Sequence, residues 1–195
     1  MKTKKIIGLL LLLITASTLV PQYAEAQRRR HKRVIVVKRG PGHRVVFRKA
    51  HVRYAALPRW GVVVNTRPVN AIVIGGRRGT YYYDGGVFYR PHNNAFMVVR
   101  PARGIRISLL PPAHRVIVLG PRRYYYYYGT YYVKSANDYV VIDAPKGAVV
   151  DALPDGYEIK NIDGNEYYYL DGVYYAEVDA KEFDDGVGYE VVDFN

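Results

Sequence analysis

The chain has 195 residues, enough for one domain or two small ones, and 49% of them are hydrophobic, which excludes a disordered chain. It contains 21 tyrosines and no cysteine, and its formal net charge is +12. Without cysteine, the chain has no disulfide scaffold, thiolate zinc site, iron–sulfur cluster or cysteine nucleophile.

The first 26 residues have the order of parts that is typical of a Sec-type signal peptide. A basic start, Met1 to Lys5, precedes an apolar run from Ile6 to Val20, and Ala24 and Ala26 supply small residues before a cleavage site. The apolar run is shorter than the roughly 20 residues that a membrane-spanning helix needs, so retention as an anchor is the less favoured alternative. We therefore expect an N-terminal signal helix, cleavage between Ala26 and Gln27, and export to the periplasm, the outer envelope or the extracellular space.

The charges are segregated by sign along the rest of the chain. Residues 27–123 hold 22 Lys and Arg and one acid, Asp84, whereas residues 124–195 hold 15 Asp and Glu and 4 Lys. A need for solubility explains a net charge but not this segregation, which indicates contact with a charged partner or between the two halves. The predicted organisation is a signal peptide (1–26), a basic arm with room for strands (27–56), a basic β-repeat region (57–123) and an acidic β-repeat region (124–195).

A pattern of tyrosines and glycines recurs every 43 residues, without a gap, from Tyr81 through Tyr175. Each copy has a tyrosine triplet, then a glycine, then an aromatic pair. The copies are Tyr81-Tyr82-Tyr83, Gly86 and Phe88-Tyr89; then Tyr124-Tyr125-Tyr126, Gly129 and Tyr131-Tyr132; then Tyr167-Tyr168-Tyr169, Gly172 and Tyr174-Tyr175. A fixed period of this length indicates repeated supersecondary units.

Each repeat has the sequence features of antiparallel β-structure. Asp171-Gly172 and Asp163-Gly164 are hairpin signals, because a type I′ turn needs positive φ at both central residues. Residues 148–153 are expected to form one strand, and residues 157–162, which alternate in polarity, another. The predicted fold is all-β: tandem small antiparallel β units of about four strands, each a meander or SH3-like barrel. Each unit is too small to bury a good core alone, so neighbouring units should pack or share a sheet.

These residues resemble a known family. The pattern Pro145-x-Gly147-x-x-Val150-x-x-Leu153-Pro154-x-Gly156-Tyr157, followed by the two Asp-Gly hairpins and their tyrosines, is similar to an uncharacterised family of exported, tyrosine-rich bacterial β-repeat proteins, known only as a domain of unknown function. The resemblance covers residues 57–195. It implies export and β-repeats, and it implies no reaction.

Three equivalent positions reverse their charge from one repeat to the next, as Arg100 and Asp143, Arg115 and Glu158, and Arg123 and Glu166. This reversal suggests that basic and acidic units face each other, either within one chain or head-to-tail between chains, since like charges would oppose the packing of identical units. Self-association is therefore one expected partnership.

The basic arm is a candidate anion-binding site. Its cations cluster around a short apolar run, at Arg28, Arg29, Arg30, Lys32, Arg33, Lys38 and Arg39. A guanidinium group binds phosphate or carboxylate in a bidentate manner, which suits an anionic envelope polymer or a lipid surface. Nucleic acid is the least favoured partner because export separates the protein from it. The alternative is a solvated terminus.

Sites for metals and catalysis are not indicated. The five histidines lack metal-ligand spacing, and the acids Asp179, Glu182, Asp184, Asp185 and Glu190 do not match a calcium loop. Ser108 lies in no nucleophile elbow. We therefore expect no cofactor and no enzyme, but an exported cell-envelope protein that acts by binding or assembly, its basic half engaging an anionic polymer or an acidic repeat. The alternatives are a periplasmic ligand- or metal-binding module and, third, a hydrolase.

Overall fold

The computed structural model describes residues 52–76 and 79–194, which form strands, turns and one short 3-10 helix, Val52–Tyr54. The expected signal helix, the cleavage site Ala26/Gln27 and the arm as far as residue 51 lie outside the described residues. Within the described ranges, no helix is long and apolar enough to cross a membrane.

The strands form three antiparallel sheets of five strands each. Equivalent strands of the three sheets start 43 residues apart, except for the last strand, which follows an insertion. Sheet 1 contains β1 (Val63–Val64), β2 (Ile72–Gly76), β3 (Gly79–Asp84), β4 (Val87–His92) and β5 (Ala95–Val98). Sheet 2 contains β6 (Arg106–Ile107), β7 (Arg115–Leu119), β8 (Arg122–Tyr127), β9 (Thr130–Ser135) and β10 (Asp138–Ile142). Sheet 3 contains β11 (Val149–Val150), β12 (Glu158–Ile162), β13 (Asn165–Leu170), β14 (Val173–Asp179) and β15 (Val187–Val192).

Each sheet is a four-stranded meander whose last strand also pairs with the short first strand, in the order β1-β5-β4-β3-β2 for sheet 1. The predicted all-β fold of tandem antiparallel units is confirmed. The strand expected over residues 148–153 is only two residues long, because Val149 and Val150 alone pair with β15. The side chains of Ala152 and Leu153 after it are buried in the core instead.

The turns between strands have the predicted type I′ geometry. Asp171 and Gly172 have φ angles of 46° and 85°, and Asp163 and Gly164 have angles of 52° and 78°. Tyr128 and Gly129, which join β8 to β9, also have positive φ angles, although tyrosine is not a favoured turn residue. We call the units that carry the three sheets units 1, 2 and 3.

Every unit has two faces, because successive side chains of a strand point to opposite sides of the sheet. One side of each sheet is called the forward face. In unit 1 it carries Tyr81, Tyr83 and Phe88, and in units 2 and 3 it carries the residues 43 and 86 positions later. The opposite side, the rear face, carries Tyr82, Tyr89 and their equivalents. The pairing of β3 with β4 assigns these residues to faces, because side chains directly opposite each other in neighbouring strands lie on the same face. Tyr83 lies opposite Phe88, and Tyr82 lies opposite Tyr89.

The core is made by stacking the forward face of one unit on the rear face of the next. Tyr81 and Phe88 of unit 1 share a buried cluster with Ile107, Tyr132 and Val141 of unit 2. The equivalent residues of units 2 and 3 share a second cluster, which contains Tyr124, Tyr131, Val150, Tyr175 and Val191 and also takes in Tyr54 and Trp60. Neighbouring units therefore pack, as predicted, while each keeps its own sheet.

Burial of tyrosines makes the fold sensitive to alkali. Burial away from water raises the pKa of the Tyr83 hydroxyl from 10.0 to about 12. It also raises the pKa values of Tyr126, Tyr131 and Tyr132 well above the ordinary value. Above pH 10 the unfolded chain therefore binds fewer protons than the folded one, so the free energy of unfolding falls with pH.

We expect full stability below pH 10 and a progressive loss as the pH rises through about 12. The measurement is urea unfolding across this range, with tyrosinate absorbance followed in parallel. Complete tyrosine ionisation near pH 10 with the fold intact would contradict the burial of these hydroxyls.

Candidate functional site

A cleft with charged walls, of about 990 Å³, lies where units 1 and 2 meet. Its floor includes the backbone of Gly75 and Gly76 on β2 and the ring of Tyr81 on β3. Among the described residues, four arginines line it, namely Arg90, Arg100, Arg103 and Arg106. We call this the arginine cleft.

Different elements bring these arginines together. Arg90 extends from β4, and its guanidinium carbon lies 5.5 Å from the centre of the Tyr81 ring, a cation–π contact. Arg100 and Arg103 belong to the connection between sheets 1 and 2, and Arg106 begins β6. The connection stays close to sheet 1 because the Ala102 amide donates a 3.2 Å hydrogen bond to the Tyr81 hydroxyl.

Arg100 is the most firmly held of the four. Its Nη2 donates to the Leu170 carbonyl at 3.2 Å, its Nε lies 3.3 Å from Asp171 Oδ2, and its guanidinium carbon stands 5.7 Å from the Trp60 ring centre. Trp60 precedes sheet 1, Leu170 ends β13 of sheet 3, and Asp171 lies in the turn that follows it. Arg100 therefore ties the start of unit 2 to parts of the chain on both sides, and its role in the cleft is structural as well as electrostatic.

Arg103 and Arg106 are paired weakly and remain available to a ligand. Arg103 Nη1 lies 3.1 Å from Asp143 Oδ2, and the two side chains are 74% and 77% exposed. Arg106 Nη1 lies 3.7 Å from Asp138 Oδ2, also near solvent. Exposed pairs of this kind contribute about 0–1 kcal/mol, so a polyvalent anion can replace the carboxylates at little cost.

Four of the charge-reversed positions pair with residues other than their repeat equivalents, namely Arg100, Asp143, Arg115 and Glu158. Arg100 and Asp143 both line the cleft, but they pair with Asp171 and Arg103 respectively. Arg115 pairs with Asp151, its Nε donating to Oδ2 at 2.8 Å. Basic residues thus meet acidic ones within the chain, but not through the repeat equivalence itself.

The other predicted site residues lie apart from the cleft. Glu158 pairs with Lys160, two residues along β12. Arg123 on β8 lies opposite Val118, and Glu166 on β13 lies opposite Asn161. The arm residues Arg28, Arg29, Arg30, Lys32, Arg33, Lys38 and Arg39 lie outside the described residues, so their anion binding stays a prediction.

Sequence reasoning missed Arg90, Arg103 and Arg106 as site residues. One signal was present, since Arg100, Arg103 and Arg106 stand three residues apart between two strand-rich repeats. No such signal exists in the sequence for Arg90, because its closeness to the other three arginines depends on how the sheets stack.

A second cavity, of about 420 Å³, lies on the other side of the contact between units 1 and 2. Ile72, Tyr83 and Leu110 form part of its wall, with Pro111 and Tyr127. Burial raises the pKa of the Tyr83 hydroxyl to about 12. The walls are mainly apolar and offer no cationic group among the described residues.

Within residues 52–76 and 79–194, no group of three or more His, Asp and Glu stands close enough together to hold a metal ion. The acids between β14 and β15 form part of a loop in which the Val187 amide donates a 3.0 Å hydrogen bond to Asp185 Oδ1. His114 Nδ1 lies 2.8 Å from the Pro111 carbonyl.

Three tandem five-stranded units and a cationic cleft define an all-β repeat protein. The chain belongs to a family of unknown function, DUF6515, whose model matches residues 28–195. This match confirms the resemblance to a domain of unknown function. No curated protein and no solved structure matches the chain.

Proposed function

We propose that the protein is an exported, non-enzymatic protein of the cell envelope that binds an anionic polymer in the arginine cleft. The observation that carries the proposal is the convergence of four arginines on one cleft of about 990 Å³. The leader-like first 26 residues support export, and they make an envelope polymer a better candidate than nucleic acid.

The chemistry of the cleft suits carboxylate or phosphate groups spaced along a chain. Guanidinium groups bind such oxyanions through paired N–H donors, and several weak contacts add up when one polymer carries all the anions. Asp143 and Asp138 hold Arg103 and Arg106 near the cleft without burying them. A ligand that replaces both carboxylates gains charge-assisted bonds and releases counterions, so its affinity falls as salt rises.

The test is titration of the purified protein with two probes, polygalacturonate for carboxylates and inorganic polyphosphate for phosphates. The double variant Arg103→Ala, Arg106→Ala should bind at least about tenfold more weakly, since each charged hydrogen bond contributes roughly 1.5–3 kcal/mol. The matched control is Arg122→Ala, Arg123→Ala, which removes two exposed arginines of β8 outside the cleft.

Three results would refute the cleft as the binding site. The first is equal loss in the two double variants. The second is binding that does not weaken with salt. The third is binding that disappears on deletion of residues 27–39 but survives in the cleft variant, which would place the anion site on the basic arm. Preference between the two probes identifies the anionic group that is recognised.

A further inference from the structure

The apolar cavity of about 420 Å³ is the open counterpart of a groove that the chain itself fills elsewhere. We call the cavity between units 1 and 2 the first groove. Adding the 43-residue period to the residues that line it gives an equivalent site between units 2 and 3, the second groove. The equivalent lining residues include Tyr83 and Tyr126, Leu110 and Leu153, and Pro111 and Pro154.

The second groove is filled by residues 53–60, the segment that precedes sheet 1. The Trp60 amide donates a 2.9 Å hydrogen bond to the Asp155 carbonyl. The ring centres of Tyr54 and Trp60 lie 5.5 and 6.0 Å from that of Tyr128, and the two residues are only 2% and 8% exposed. A short segment with two aromatic side chains therefore completes the contact between units 2 and 3.

Within residues 52–76 and 79–194, no segment takes this place in the first groove, which stays open as a cavity. Gly85 stands where the second groove has Tyr128, and a Cβ added to Gly85 would meet no described atom within 4 Å. Leu109 is 75% exposed, whereas its equivalent Ala152 is 4% exposed. The ring of Tyr127 closes one end, beside the glycine of the hairpin tip. The rest of the groove is apolar surface that a further segment would gain by covering.

The contact between units is also looser at the first groove. The Tyr83 hydroxyl donates to the Leu109 carbonyl at 3.5 Å, whereas the equivalent Tyr126 hydroxyl donates to the Ala152 carbonyl at 2.7 Å. The same stacking is therefore tight where an aromatic segment covers the groove and long where none of the described residues does.

The described chain begins at the rim of this cavity. Arg53 Nη2 donates to the carbonyl of Ala113, and the ring centre of Tyr54 lies 5.5 Å from that of Tyr127. Both Ala113 and Tyr127 line the cavity. The residues that come immediately before Val52 therefore start within reach of the first groove.

The sequence before Val52 holds one aromatic side chain suited to this place. Between residues 27 and 51, Phe47 is the only Phe, Trp or Tyr, and Val45 and Val46 precede it. Phe47 is five residues from Val52, a span of up to about 17 Å of extended chain. A cavity of about 420 Å³ has room for its ring.

We propose that Phe47, with Val45 and Val46, docks in the first groove of its own chain, as Tyr54 and Trp60 dock in the second. Removal of these apolar side chains from water supplies the driving force. The docked segment anchors the basic residues that precede it at the contact between units 1 and 2, on the side away from the arginine cleft.

Engineered cysteine pairs in the purified mature protein test the docking, because the natural chain contains no cysteine. The variant Arg48→Cys, Ser108→Cys places one thiol beside Phe47 and the other in the wall of the cavity. A disulfide needs Cβ atoms about 3.5–4.5 Å apart, so it reports close approach. The matched control is Arg48→Cys, Ser135→Cys, since Ser135 ends β9 outside the cavity.

Under the same mild oxidation, the cavity pair should close within one chain at least about tenfold faster than the control pair, since docking raises the effective concentration of the two thiols. Non-reducing gels and the masses of tryptic fragments measure closure. Adding Phe47→Ala to the cavity pair should remove this advantage, whereas adding Val36→Ala should leave it unchanged.

Three results would overturn the proposal. The first is equal closure, or no closure, of the two cysteine pairs. The second is fast closure of the cavity pair that Phe47→Ala does not slow, which would mean that chain length alone brings the thiols together. The third is a disulfide between chains in the cavity pair, which would mean that the first groove receives a second copy.

Discussion

Replacing Gly86 with alanine should lower the free energy of unfolding by about 2–5 kcal/mol, the largest effect we expect from a single added methyl group. Gly86 ends the turn between β3 and β4 with a φ angle of 97°, which an L-residue adopts at a cost of about 1–2 kcal/mol. The added Cβ would also overlap the ring of Tyr127 and lie 2.7 Å from Pro111 Cγ. Both neighbours belong to unit 2, so the clash pushes the two units apart.

Gly172→Ala is the matched control, because it changes the same turn position of unit 3. Its φ angle of 85° imposes the same backbone strain, but its Cβ would have no described atom within 4 Å. Urea unfolding of the two variants should therefore differ by roughly 1–3 kcal/mol, the cost of overpacking alone. Equal losses would mean that the hairpin tip of unit 1 does not press on unit 2.

The elements of the fold could be predicted because their signals are local. Two Asp-Gly pairs specified type I′ turns, and the 43-residue recurrence of tyrosines and glycines specified tandem units. Both depend on residues close in sequence, where backbone preference and hairpin twist decide the outcome. The length of β11 was overestimated in the prediction over residues 148–153. An apolar run looks the same in the sequence whether its residues pair with a neighbouring strand or pack into a core.

The stacking of units could not be predicted in its details. Tyr126 and Tyr169 occupy equivalent positions in nearly identical triplets, yet the first is buried against unit 3 and the second lies on the last forward face. Nothing near either residue distinguishes them, since the difference depends on whether another unit follows. The arginine cleft was missed for the same reason, because Arg90 and Arg103 approach each other only when sheets 1 and 2 stack.

Equivalence in the repeat does not identify which basic and acidic side chains form ion pairs. Arg115 pairs with Asp151 rather than with its equivalent Glu158. Stacked units are displaced from one another, so equivalent positions do not face each other across the interface. The residue that faces Arg115 is set by the connection after β11, which the repeat pattern alone does not position.

Asp151 is the most buried acid in an ion pair between the two halves, with 9% of its side chain exposed. It accepts hydrogen bonds from Arg115 and from Arg53. Removal of one partner from a buried pair costs about 3–5 kcal/mol, and partial exposure of both arginines reduces this, so we expect Asp151→Ala to lower the free energy of unfolding by about 2–3 kcal/mol. Urea unfolding measures the loss.

Asp143→Ala is the control that separates burial from charge. It removes the same group from a pair with Arg103 that is almost fully exposed, and its expected cost is about 0–1 kcal/mol. Added salt should change the difference between the stability losses of Asp151→Ala and Asp143→Ala only slightly, since screening acts on exposed charges more than on buried ones. If both variants lose the same stability and salt removes both losses, then charge segregation stabilises the chain through a diffuse field. A large, salt-resistant loss in Asp151→Ala alone means instead that one buried contact joins the basic and acidic halves.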